Sequence, residues 1–227
     1  MTEMTIPRMA DFREAVDRIP DLRDRILIQV LYLSAARVSE VVTRVGKYDL
    51  EHLASWNYGS YMTCQLQDFR FGKDKLEKVL LLKIAVAKRK VKQKQTDDEG
   101  TRRVVFKYIA LPTSLSFEPW TICLLKYMQL HGNLNFDLGR RSVGFIVNKH
   151  LHGLDKRIHT HSLRHYRISH LVEYYSFDPY DVTSYAGWTI RTTIGSMGLG
   201  GSAQLDTYLH LAWRRYFPKL LIPLPED

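Results

Sequence analysis

Apolar residues recur with helical spacing through the first fifty positions. The run "RDRILIQVLYLSAA" carries Ile26, Ile28, Val30, Leu31 and Leu33 and is too apolar on all sides for a surface helix. It predicts a buried helix that breaks near Ser34. The following "RVSEVVTRV" resumes a helical period, which puts Arg37 at or beside a helix start. The middle of the chain changes character. "YMTCQLQDF", "EKVLLLKIAVAK" and "RRVVFKYIAL" are rich in β-branched and aromatic residues and are separated by polar breaks, so they predict a small antiparallel sheet. Between the last two, "RKVKQKQTDDEG" is too charged to pack and reads as an exposed, mobile loop.

Helices prevail after Pro112. "SFEPWTICLLKYMQLHG" has Pro119 in its first turn and Gly132 just past its end. "DPYDVTSYAG" has the same punctuation, with Asp178 as cap, Pro179 first, Asp181 facing the helix dipole and Gly187 as stop. In "THSLRHYRISHLVEYY", Thr160 is the expected N-cap, His161 and Arg164 share a face of the first turn, and Ile168, Leu171, Val172 and Tyr175 mark the buried stripe. The glycine-rich "TTIGSMGLGGSAQ" reads as a flexible connector. It lacks the lysine of a phosphate-binding P-loop.

The 227 residues, 45% of them hydrophobic, suffice for a sizeable core. Lysine and arginine number 33 against 24 acidic residues, a net charge of +9 that suits a polyanionic partner. Cys64 and Cys123 are the only cysteines and have no zinc-site spacing, which fits a reducing compartment. The amino terminus has no signal-like apolar run, and no stretch approaches the roughly 18 apolar residues of a membrane span. A soluble, cytoplasmic protein without membrane contact is expected.

A helix start bearing His161 and Arg164 is suited to an anion. A metal there is disfavoured: Ser162 stands where the zincin spacing needs glutamate, and Arg164 repels a cation.

"ARVSE" around Arg37, "HSLRH" from His161, Gly187–Trp188 and "DTYLH" around Tyr208 occur in that order, with a lysine-bearing hairpin between the first two. Together they resemble the tyrosine recombinase, or phage integrase, family over almost the whole chain. The resemblance implies an α+β fold, mainly α, of the DNA breaking-rejoining type: a helical catalytic domain with a small antiparallel sheet. It implies residues 1–227 as a single catalytic domain, the amino-terminal core-binding domain being absent. Arg37 and Arg164 would clamp the scissile phosphate, His161 and Trp188 would donate to it, and Tyr208 would attack it. Lys90, with Lys88 as second candidate, would protonate the leaving 5′-oxygen. Glu40 would hold the site together, and His165 would support it. The implied function is site-specific recombination that integrates or excises a mobile element through a 3′-phosphotyrosyl bond, on double-stranded DNA, as a tetramer, without metal or cofactor. Two alternatives stay open: a type IB topoisomerase activity and a non-catalytic DNA-binding module. Tyr166, Tyr185 and Tyr216 compete with Tyr208 as nucleophile.

The chain departs from the family in two places. Ala35 replaces the glycine two residues before the first arginine, and Trp188 and Tyr208 are farther apart than usual. The longer connector suggests a mobile segment that brings Tyr208 to DNA, in its own or a neighbouring subunit.

Overall fold

Met9, Phe12 and Val16 fall at helical spacing and form the buried side of α1 (Met9–Asp17). The next helix, α2 (Leu22–Leu33), is capped by Asp21, whose carboxylate accepts the Asp24 N–H at 2.8 Å. From Ile26 to Leu33 every residue of α2 is buried, as its all-round apolar pattern predicts. The computed structural model describes residues 5–44, 62–71, 75–86, 106–132, 134, 136–188 and 212–224.

The helical pattern expected of 37–45 gives way to a 3₁₀ turn at Val38–Glu40 and a short strand, β1 (Val42–Arg44). Glu40 explains the early stop: its side chain bonds back to Arg37, closing one turn and leaving the β-branched residues after it free to pair. The three expected strands are β2 (Met62–Phe71), β3 (Lys75–Ala85) and β4 (Phe106–Pro112), antiparallel in the order β2-β3-β4. The charged connector at 89–100 lies outside the described residues.

Helix α3 (Pro119–His131) starts on Pro119 and ends on Gly132 at φ +79°. Strand β5 (Phe136–Gly139) pairs in parallel with β1 and leads into α4 (Arg140–Leu151). Two more helices follow, α5 (Thr160–Glu173) and α6 (Pro179–Ala186), the latter punctuated by Asp178, Pro179 and Gly187 as expected. The short α7 (Trp213–Tyr216) continues as a 3₁₀ turn through Leu220.

Two expectations for α5 are corrected. Its N-cap is His159, since Ser162 Oγ accepts the His159 N–H at 3.2 Å and draws Thr160 into the first helical position. Its buried face is broader and partly rotated: Leu171 and Tyr175 of the expected stripe are buried, with Leu163, Arg164, Tyr166, Arg167 and His170 added, whereas Val172 is 50% exposed and Ile168 half-buried. The rotation arises because both arginines and His170 find partners inside the protein.

The core centres on α2, which packs against α1, α3 and α5, while α6 and α7 pack on β4. The architecture is therefore mixed α+β, about half helical, with a small three-stranded antiparallel sheet. Among the described residues no helix is long and apolar enough to cross a membrane.

Candidate active site

The turn that ends α2 is the floor of the site. The Ser34 hydroxyl donates to Val30 O at 2.6 Å and accepts the Ala36 N–H at 3.2 Å. Between them Ala35 adopts φ +44°, in the left-handed region that an L side chain disfavours. The last carbonyls of a helix have no internal partners, and here donors from other elements supply them. Leu33 O accepts from the Tyr185 hydroxyl, Ser34 O from Lys107 Nζ at 2.9 Å, and Ala35 O from both Lys107 Nζ at 3.3 Å and Arg164 Nη1. The negative end of the helix dipole thus faces two cations.

Arg37 follows directly. Its N–H donates to Glu40 Oε2 at 2.9 Å and its Nη1 to Glu40 Oε1 at 3.0 Å. The Glu40 side chain is fully buried while 27% of that of Arg37 is exposed, so the carboxylate anchors the arginine and the guanidinium reaches the surface.

Arg164 comes from α5, three positions beyond the exposed His161. It is 2% exposed, and its Nη2 donates to Ala186 O at 2.8 Å. Its guanidinium carbon lies 5.6 Å from the centre of the Trp188 ring. Burial pushes Arg164 down to about 10, with Glu40 opposing and Arg37 reinforcing the shift. It remains a cation at neutral pH, but one whose charge is disfavoured until a counterion arrives. His161 is lowered by burial first and then by His165, Arg164, His159 and Arg37. His165, with its ring edge-on to His161 at 4.6 Å, is lowered by burial, Arg164 and His159.

Arg37, His161, Arg164 and Trp188 are thus brought into one neighbourhood. Trp188 is 37% exposed and belongs to the surface of the site, not to the core. Lys88, Lys90 and Tyr208, with the glycine-rich connector before it, lie outside the described residues.

The competing tyrosines are hydrogen-bonded within the fold. Tyr216 accepts the Ala110 N–H at 3.2 Å and donates to Tyr108 O at 2.8 Å, pairing with β4 where a further strand would. Tyr185 is committed to Leu33 O and Arg167, and Tyr166 donates to Asp155 at 3.0 Å.

Lys107 was not among the expected residues. It is 2% exposed, and its ammonium lies 3.8 Å from Glu40 Oε2. Its signal in the sequence is positional: Lys107, Ile109 and Leu111 alternate along β4, so the lysine occupies an inward position beside two apolar ones.

Arg37, Arg164 and Lys107 gather around the Glu40 carboxylate, in surroundings where water screens poorly. Such a cluster suits an anion with several oxygens, and its donors suit the charge that develops when a phosphodiester is attacked. Among the described residues no group of three or more His, Cys, Asp or Glu side chains could hold a metal ion. Comparison of the chain with family models, with curated proteins and with solved structures finds no match in any of the three.

Proposed function

We propose that the protein is a tyrosine-type site-specific DNA recombinase with a catalytic domain of the DNA breaking-rejoining type. The observation that carries the reading is the convergence of Arg37 and Arg164 on one turn. One is tied to Glu40, the other shares the Ala35 carbonyl with Lys107, and His161 and Trp188 lie alongside. The order of Arg37, His161–Arg164, Gly187–Trp188 and Tyr208 along the chain supports it independently.

In this mechanism the phenol oxygen of Tyr208 attacks the scissile phosphorus. A 3′-phosphotyrosyl bond forms as the bond to the 5′-oxygen breaks, and that oxygen takes a proton from Lys90. The two guanidiniums and His161 bind the non-bridging oxygens, whose charge grows in the transition state, so they lower the barrier rather than merely holding substrate. A 5′-hydroxyl from a second duplex then attacks the phosphotyrosine, displaces the phenol and restores the DNA backbone without a nucleotide. The partner is double-stranded DNA in the cytoplasm, and strand exchange between two duplexes engages four protomers.

The test is incubation with a pool of nicked suicide duplexes followed by denaturing electrophoresis. A nuclease-sensitive, slower-migrating protein band that Tyr208→Phe removes is the expected result. DNA binding without any covalent band would overturn the recombinase assignment.

A further inference from the structure

Lys107 stands where a strand normally presents an apolar side chain. A buried ammonium needs oxygen partners, and those of Lys107 all come from one short segment: Ser34 O at 2.9 Å, Ala35 O at 3.3 Å and Glu40 Oε2 at 3.8 Å. That segment carries Arg37, and Ala35 O is also the acceptor of Arg164. The lysine stem reaches a third part of the site. A Cβ added to Gly187 would lie 3.0 Å from Lys107 Cδ, so the residue preceding Trp188 is seated directly on the lysine chain.

We propose that Lys107 is a positioning residue: from β4 its ammonium fastens the Ser34 and Ala35 carbonyls and the Glu40 carboxylate behind Arg37 and Arg164, holding the turn on which the two guanidiniums meet a phosphate. The proposal rests on the recombinase reading only in taking DNA phosphate as the ligand.

Stability alone does not account for a lysine here. Burial pushes it down to about 7, with Glu40 opposing and Arg164 and Arg37 adding to the shift. The groups around it are Glu40 and Arg37 from the arginine turn, Arg164 from α5, and the uncharged Gly187 and Val86. A charge disfavoured in the free protein becomes favoured when an anion binds nearby, so phosphate binding and protonation of Lys107 support one another. DNA affinity therefore falls as the pH rises through and above neutrality.

The experiment is fluorescence anisotropy with a short labelled duplex of mixed sequence, from about pH 6 to about pH 9 at constant ionic strength. Wild type, Lys107→Met and His161→Gln are compared, each with its melting temperature. Wild-type affinity should fall about tenfold across the range. Lys107→Met should start about tenfold weaker and lose the fall above neutrality, which His161→Gln should keep, because His161, lowered below its ordinary value, is already neutral there. A folded Lys107→Met that binds and titrates like wild type, or that differs only in melting temperature, overturns the proposal.

Should Lys107→Met fail to fold, calorimetry of wild type and duplex in two buffers of different ionisation enthalpy at about pH 7.5 decides. Uptake of a fraction of a proton that His161→Gln retains supports the proposal, and no uptake sinks it. Proton-linked binding with no Tyr208-dependent adduct would remove the recombinase reading and leave the role of Lys107 standing. Absence of DNA binding at every pH would remove both.

Discussion

Arg164 and Arg167 sit three positions apart on α5, and both are buried, at 2% and 1% exposure. Their surroundings differ in kind. Arg164 donates to two backbone carbonyls with Arg37 and Lys107 nearby, and its charge is disfavoured. Arg167 donates to the Tyr185 hydroxyl at 3.3 Å from both Nε and Nη2 and lies 5.3 to 5.6 Å from the ring centres of Tyr32, Tyr175 and Tyr185. Burial opposes its charge, and its Nη1 is buried without a hydrogen-bond partner among the described residues, yet the tyrosines and Glu118 raise it. A second buried arginine on that side, Arg13, is paired with a carboxylate, donating to Glu118 at 2.6 and 3.2 Å. Burial of a cation therefore does not mark a site. What sets Arg164 apart is its company: it shares the Ala35 carbonyl with Lys107 and lies near Arg37, cations drawn from three elements to one turn.

The same substitution at the two positions gives the sharpest break of this comparison. Arg164→Met should lower the rate of covalent adduct formation by about a thousandfold, or ~4 kcal/mol of transition-state stabilisation, and leave denaturant stability near wild type. Single-turnover electrophoresis alongside urea unfolding measures both. Activity within tenfold of wild type would remove Arg164 from the phosphate clamp.

His170 sharpens the contrast from the structural side. Its Nδ1 faces the Tyr32 hydroxyl and its Nε2 faces Pro7 O, both at 2.8 Å. This pairing suits a neutral ring that donates from Nε2 and accepts at Nδ1. Burial, opposed by the Pro7 carbonyl and reinforced by Arg167 and Arg13, pushes it down to about 4. The unfolded chain therefore takes up a proton first as the pH falls. Stability is fully present above about pH 6.5 and drops by roughly 3 kcal/mol as the pH approaches 4. Urea titrations across this window should show the loss in wild type and a flatter profile in His170→Leu.

Arg167→Met is the counterpart of Arg164→Met and should reverse its pattern. Stability should fall by about 2 kcal/mol, through lost cation–π contacts and the two lost hydrogen bonds to the Tyr185 hydroxyl, and the folded fraction should keep its DNA affinity. A loss of affinity without a loss of stability would erase the distinction between the two arginines.

The sequence is legible where local chemistry decides and opaque where distant partners do. Pro119 with Gly132, and Asp178 with Pro179 and Gly187, bracket helices because capping is a local property. The three strands are readable from their β-branched runs. Arg37, His161, Arg164 and Trp188 are grouped by the order of the resemblance, and the fold brings them into one neighbourhood. The buried face of α5 is not, since periodicity assigns arginine to solvent. Arg167 and His170 turn inward only because Tyr32, Tyr175, Tyr185 and Pro7 await them from elsewhere in the chain. The β1–β5 pair is similarly non-local, joining Val42 to Phe136. The inward register of Lys107 in β4 depends on which face of the sheet is covered, which local pattern around a lone lysine does not fix.

The smallest expected effect tests the floor of the site. Ala35 stands where the resemblance places glycine, and its φ of +44° supplies the physical reason for that preference. Its Cβ strains the turn by about 1 kcal/mol or slightly more, and the extra freedom glycine brings to the unfolded chain offsets part of any relief. Ala35→Gly should therefore gain about 0.5 kcal/mol, read as a shift of the urea midpoint at unchanged slope. The carbonyl that Arg164 and Lys107 share belongs to the backbone and survives the change, so adduct formation should stay within about twofold of wild type. A large loss of activity would mean that the alanine methyl, and not only the left-handed turn, sets the direction of that carbonyl toward the two cations.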